Sequence, residues 1–75
     1  MTPAEPEPVD VQIREQTIRL GQLLKLAGLA ESGAHARELV QDGQVLVNGE
    51  VDVRRGRQLR RGDLVTAGDE TVRVV

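Results

Sequence analysis

Residues 32–49 read Ser32-Gly33-Ala34-His35-Ala36-Arg37-Glu38-Leu39-Val40-Gln41-Asp42-Gly43-Gln44-Val45-Leu46-Val47-Asn48-Gly49, and the hydrophobic period changes inside this stretch. Ser32 is a good N-cap, Ala36, Leu39 and Val40 fall on one helical face, and Gly43 stands where a left-handed residue would end the helix. From Gln44 onward the period is two. Val45, Val47, Val51 and Val53 flank Asn48-Gly49, a hairpin signal. Parity then discriminates between loops. A two-residue loop would pair Val47 with Glu50 and turn acids onto the valine face. A three-residue loop with Gly49 left-handed keeps Val45 and Val51 on one face, and is expected.

Upstream, Leu20, Leu23, Leu24 and Ala27 are spaced i, i+3, i+4, i+7, which predicts a short helix stopped by Gly28. The few residues from Gly28 to Glu31 would join the two helices as a helical hairpin. Further upstream, Val9, Val11 and Ile13 alternate with polar residues, as in a half-buried strand. Residues 1–8 hold three prolines and two glutamates and predict a disordered acidic tail, leaving residues 9–75 as one domain. Downstream, Arg54–Arg61 read as a basic connection and Gly62-Asp63 as a turn. Leu64-Val65 and Thr71–Val75 form a last strand pair around Gly68-Asp69. Strand, two helices, then a strand-rich half give an α+β domain.

The chain has 75 residues, 39% of them apolar, with no Phe, Tyr, Trp or Cys. A domain this short buries only about 60% of its unfolded surface, so the core must be thin and aliphatic. Absent cysteine excludes disulfides, thiolate metal sites and thiol chemistry. The opening Met-Thr-Pro-Ala-Glu-Pro-Glu-Pro has no basic start or apolar run of a signal peptide. No apolar stretch approaches the ~20 residues of a membrane span. A soluble cytoplasmic protein is expected.

The net charge of −2 argues at first against a polyanionic partner. Its distribution argues otherwise. Residues 19–61 carry eight bases (Arg19, Lys25, Arg37, Arg54, Arg55, Arg57, Arg60, Arg61) against five acids (Glu31, Glu38, Asp42, Glu50, Asp52), a net of +3. The flanks are acidic, at −3 and −2. With a Debye length of about 8 Å, a partner at the middle segment feels mainly that segment.

Two features could carry binding chemistry. Arg54-Arg55-Gly56-Arg57-Gln58-Leu59-Arg60-Arg61 holds five arginines in eight residues with no acid among them. Charge runs are more often solvated loops, but a solubilising loop in an acidic protein would more often mix signs. Guanidinium groups bind phosphate bidentately. The second feature is the helix start Ser32-Gly33-Ala34-His35, where free N–H groups and small side chains would let an anion approach. Arg37 lies close by, and His35 could add a donor. No Ser–His–acid set, metal-ligand cluster, nucleotide fingerprint or isolated carboxylate pair is visible, so neither an enzyme nor a cofactor is expected. Without aromatic stacking platforms, any RNA partner would be read through phosphates, ribose hydroxyls and shape, which suits folded RNA.

Taken together, Arg19-Leu20, Leu23-Leu24-Lys25-Leu26-Ala27-Gly28, Ser32-Gly33-Ala34-His35-Ala36-Arg37, Gly43-Gln44-Val45-Leu46-Val47-Asn48-Gly49 and Gly62-Asp63 resemble the S4 RNA-binding domain, in its stand-alone bacterial YbcJ-like type. The resemblance covers about residues 18–65. It implies a helical hairpin packed on a small, mostly antiparallel sheet (the αL motif), with RNA contacted by the helices and the adjoining basic loop. Arg19, Lys25, Ser32, Arg37, Asn48, Arg54, Arg55 and Arg57 match the stand-alone pattern. With Gly33, His35 and Arg60 they form the expected RNA-binding set. Larger members carry an acid and a lysine where Gly21 and Gln22 stand, and an arginine where Gly33 stands. The loop would therefore carry more of the affinity. Asn48 could serve the turn or the ligand.

The resemblance implies a monomeric module for structured RNA, ribosomal or tRNA-like, with a ribosome or ribosomal subunit as a candidate partner. The other class is a small protein-interaction adaptor. A ubiquitin-like sulfur carrier, suggested by Val-Asn-Gly-Glu-Val and Gly-Asp-Leu-Val, would need a C-terminal Gly-Gly, and the sequence ends Arg73-Val74-Val75.

Overall fold

In a computed structural model, which describes residues 8–75, the elements follow one another as β1 (Val9–Val11), β2 (Thr17–Arg19), α1 (Leu20–Leu26), α2 (Gly33–Gln41), β3 (Val45–Val47), β4 (Glu50–Val51), β5 (Gln58–Arg60), β6 (Leu64–Ala67) and β7 (Glu70–Val74). Of the expected acidic tail, residues 1–7 lie outside the described residues.

The helical hairpin forms as its spacing requires. Leu20, Leu23 and Leu24 of α1 are fully buried, and Ala27 caps the helix before Gly28 turns left-handed at φ +75°. Ser32 caps α2, whose Ala36 and Val40 are buried, and Gly43 follows at φ +72°. Between the helices, the Leu29 and Ala30 N–H groups both donate to the Leu24 carbonyl, at 2.9 and 3.0 Å, so the link is itself pinned to α1.

A five-stranded sheet in the order β1-β7-β6-β3-β4 lies against the hairpin, antiparallel except for the parallel β1–β7 pair. Val45, Val47, Val65, Val72 and Val74 meet the leucines of α1 and Ala36 and Val40 of α2 in one aliphatic core. Each such buried leucine or valine contributes roughly 1.5–3 kcal/mol. The α+β architecture expected from the sequence is the one observed.

Two expectations need correction. Gln58–Arg60, inside the arginine-rich segment, is not loop but strand β5, antiparallel to β2 in a separate two-stranded ribbon. The cause is Leu59, which pairs with Ile18 and is fully buried while its neighbours Gln58 and Arg60 face water.

The hairpin loop also differs. Val47 pairs with Glu50 and Leu46 with Val51, so Asn48 and Gly49 form a two-residue turn, both left-handed at φ 52° and 86°. This is the register that parity marked as unfavourable. Val51 is left 57% exposed, and the Asp52 N–H pairs with the Val45 carbonyl at 3.1 Å. That register turns Asp52 toward the valine face, where it is only 6% exposed. The register is tolerated because β4 is a two-residue edge strand whose Glu50 escapes to solvent. The buried acid, Asp52, is compensated by arginines.

Candidate nucleic-acid interface

The segment after Asp52 folds back over the start of α1. Arg19, the N-cap of α1, offers no side-chain cap. The Leu20 N–H instead donates to the Arg57 carbonyl at 2.8 Å and the Gly21 N–H to the Arg55 carbonyl at 3.0 Å. Free helix N–H groups need acceptors, and here the basic segment supplies them from its own backbone. Gly21 makes the approach possible, because a β-carbon there would stand 2.9 Å from Arg55 Cγ.

This docking leaves a groove of about 410 Å³ between α1, the first turn of α2 and the arginine segment. Its walls are Arg19, Gln22, Lys25 and Arg55, and its small residues are Gly21, Gly33, Ala36 and Gly56. Three cations and no acid line it, so its local potential is positive although the chain is acidic overall. Small residues let a ligand reach the backbone.

Of the residues expected from the sequence, Arg19, Lys25, Gly33 and Arg55 meet in this groove. Arg37 lies four residues beyond Gly33 on α2, on the same side of the helix, and is exposed. Ser32 and His35 hold the end of α2. The Ser32 hydroxyl accepts the His35 N–H at 3.1 Å, and His35 Nδ1 accepts the N–H of Glu31, the residue before the cap, at 3.0 Å, so both side chains clasp the start of α2. His35 thus presents an acceptor locally rather than a donor at Nδ1.

Arg54 and Arg57 border the groove segment but are held by Asp52. Arg54 donates its N–H (2.8 Å) and Nε (3.2 Å) to Oδ1 and its Nη2 to Oδ2 (3.0 Å). Arg57 Nη1 reaches the same Oδ2 at 2.8 Å. The Arg54 guanidinium, with help from its N–H and from Arg57, holds the Asp52 carboxyl well below the usual carboxylate range, against burial, which pushes it up. Asp52 in turn raises the pKa of Arg54.

Asn48 and Arg60 are elsewhere. Asn48 serves its turn: Nδ2 donates to Asp63 Oδ1 at 3.2 Å and Oδ1 accepts the Leu64 N–H at 2.9 Å. Arg60 stands on the exposed face of the β2–β5 ribbon, with its backbone N–H on Asp63 Oδ2 at 2.8 Å. Sequence reasoning missed Asp52, and it took Gly21 for a missing polar group rather than a seat for Arg55. An acid two residues before an arginine is a recognisable turn signal, but hairpin parity pointed away from it.

Comparison with known proteins gives the family of the fold. Residues 11–75 match the S4 domain family. The chain belongs to that family. Among similar proteins, the one named "Probable ribosome maturation protein RlbA" of Bacillus subtilis (strain 168) is 47% identical over 55 residues, covering 73% of this chain and 78% of the relative. YbcJ of Escherichia coli (strain K12) is 40% identical over 58 residues, covering 77% and 83%. The solution structure of YbcJ, described as revealing an αL motif involved in RNA-binding, covers all of this chain and 96% of that one, with a TM-score of 0.71 and 32% identity. The 30S ribosomal protein S4e of Thermoplasma acidophilum matches at a TM-score of 0.64 and 21% identity over 83% of this chain and 33% of its own, a likeness of fold. No helix among the described residues is long and apolar enough to cross a membrane.

Proposed function

We propose that this S4 domain is a non-catalytic, monomeric, cytoplasmic module that binds structured RNA, ribosomal or tRNA-like, through its phosphates. The observation that carries the reading is the acid-free basic groove of Arg19, Lys25 and Arg55 over Gly21, Gly33 and Gly56. Arg54 and Arg57 extend it from the arginine segment and Arg37 from α2. The start of α2, with its cap fixed by Ser32 and His35, offers backbone donors to the same ligand. A duplex or folded RNA presents phosphates and ribose hydroxyls that such a surface can read without aromatic stacking. The name of the B. subtilis relative and the RNA-binding motif described for YbcJ support a ribosomal RNA, free or in a subunit, as the target.

The test is a titration of the purified chain with a bacterial ribosomal RNA stem-loop across a range of salt. With roughly five phosphates neutralised, log K should fall against log salt by about 0.7–0.9 per phosphate. Salt-independent binding, or capture from cells of a protein partner that resists ribonuclease with no crosslinked RNA, would replace this reading with that of a protein adaptor.

A further inference from the structure

Asp52 is the one buried charged residue among the described residues, and four hydrogen bonds from Arg54 and Arg57 converge on it. Neutralising a single carboxylate requires one cation. Here two guanidiniums share Oδ2, at 3.0 and 2.8 Å, although like charges so placed repel. The arrangement makes sense if the free edges of the two arginines matter. Arg54 spends its Nε–H and one Nη2–H on Asp52, so the fork formed by Nη1 and the second Nη2–H points away, and its side chain is 70% exposed. Arg57 spends one Nη1–H, and its Nε/Nη2 edge has no protein partner among the described residues. Arg55, between them in sequence, bears no acid and lines the groove.

We propose that Asp52 is a positioning residue for RNA: it fixes Arg54 and Arg57, which flank the groove residues Arg55 and Gly56 in sequence, as two oriented forks for the phosphate backbone. The proposal rests on the RNA-binding reading. Arginine side chains lose rotamer freedom when they bind, and here that loss is incurred in the free protein, as preorganisation. The two-residue Asn48-Gly49 turn is what brings Asp52 to this place, through the Asp52 N–H on the Val45 carbonyl.

The consequence opposes simple electrostatics. Replacing an acid beside a basic surface should tighten phosphate binding. If Asp52 positions the arginines, Asp52→Asn instead weakens it, by about five- to tenfold, and makes the salt slope shallower by about 0.7–0.9 for each phosphate no longer engaged. The same substitution in an Arg54→Ala/Arg57→Ala background should have no further effect. The probe is a bacterial ribosomal RNA stem-loop. A second measurement uses the unaltered chain, so it does not depend on the variant folding: the Arg54 and Arg57 Nε–H resonances should shift on titration with that RNA. Equal or tighter binding by Asp52→Asn, or resonances that stay fixed while RNA binds, overturns the positioning role alone. An unaltered chain that binds no RNA overturns the functional reading and this role together.

Discussion

Arg55 lies across Gly21 so closely that the glycine N–H meets the arginine carbonyl at 3.0 Å while a β-carbon would meet Arg55 Cγ at 2.9 Å. The close atom is Cγ, near the root of the arginine stem, so making room for a β-carbon takes a change of χ1 or a shift of the segment rather than a movement of the side-chain tip. Gly21 is favoured here by proximity, with no left-handed φ involved.

Gly21→Ala separates this close approach from helix propensity. Propensity alone would stabilise α1 by about 0.5–1 kcal/mol. Displacing the arginine segment should outweigh that gain, leaving a net loss of about 1 kcal/mol, or about 4–8 °C in melting temperature. RNA affinity should fall with it, because Arg55 leaves the groove. Calorimetry and an RNA titration check both; a variant that melts higher and binds unchanged would contradict the account.

Asp52 gives the fold a signature at acid pH. Its folded-state pKa lies below the ordinary value of 3.8, so its contribution is fully present above that value and is lost as pH falls through the lower folded pKa. Denaturant midpoints of the unaltered chain should drop as pH is lowered below about 4, and Asp52→Asn should lack this component. Parallel midpoint curves for the two proteins would show that the Arg54–Asp52–Arg57 bonds contribute nothing to stability.

Asn48 combines a left-handed φ of 52° with side-chain bonds to Asp63 and to the Leu64 N–H. Asn48→Gly keeps the backbone freedom and removes the bonds, at a cost of about 1–2 kcal/mol. Asn48→Ala adds strain and should cost more. Both variants, once folded, should bind RNA as the unaltered chain does. A selective loss of binding at full stability would make Asn48 a ligand-binding residue instead.

The groove cations and Arg60 should behave differently. Alanine at Arg19, Lys25 or Arg55 should each lower the salt slope by about 0.7–0.9. Arg60→Ala, on the ribbon, should leave it unchanged. An Arg60 effect as large as that of Arg55 would extend the interface across β2 and β5.

The helical hairpin is legible in the sequence because two independent signals agree at each helix: periodic leucines or an Ala36–Val40 stripe, and a glycine stop. Ser32 is legible for the same reason, since capping is a local interaction. The β2–β5 ribbon is not, because its inward residues are only Ile18 and Leu59, one per strand, and Arg60 and Arg61 dominate the reading of the second. The hairpin register escapes a sound premise applied too simply. A buried acid is costly when unpaired, and the partners that remove the cost lie two and five residues ahead in a run that looks like free positive charge. For the groove, the residue types are visible, but which arginines are tethered and which are free depends on Asp52 and Gly21, both tertiary relationships.

Strand β7 occupies an interior place in the sheet, between β6 and β1. Its Val72 and Val74 help to close the core, and the Val75 N–H reaches back to the Val11 carbonyl at 2.9 Å. In the order of the chain, the arginines and the helical hairpin precede the strand that completes the core beneath them. Without Glu70–Val74, β1 would have no neighbour to pair with, and Val72 and Val74 would be missing from the cover over the leucines of α1. The basic segment therefore owes its scaffold to a strand that follows it, so the domain is closed by contacts of long sequence separation.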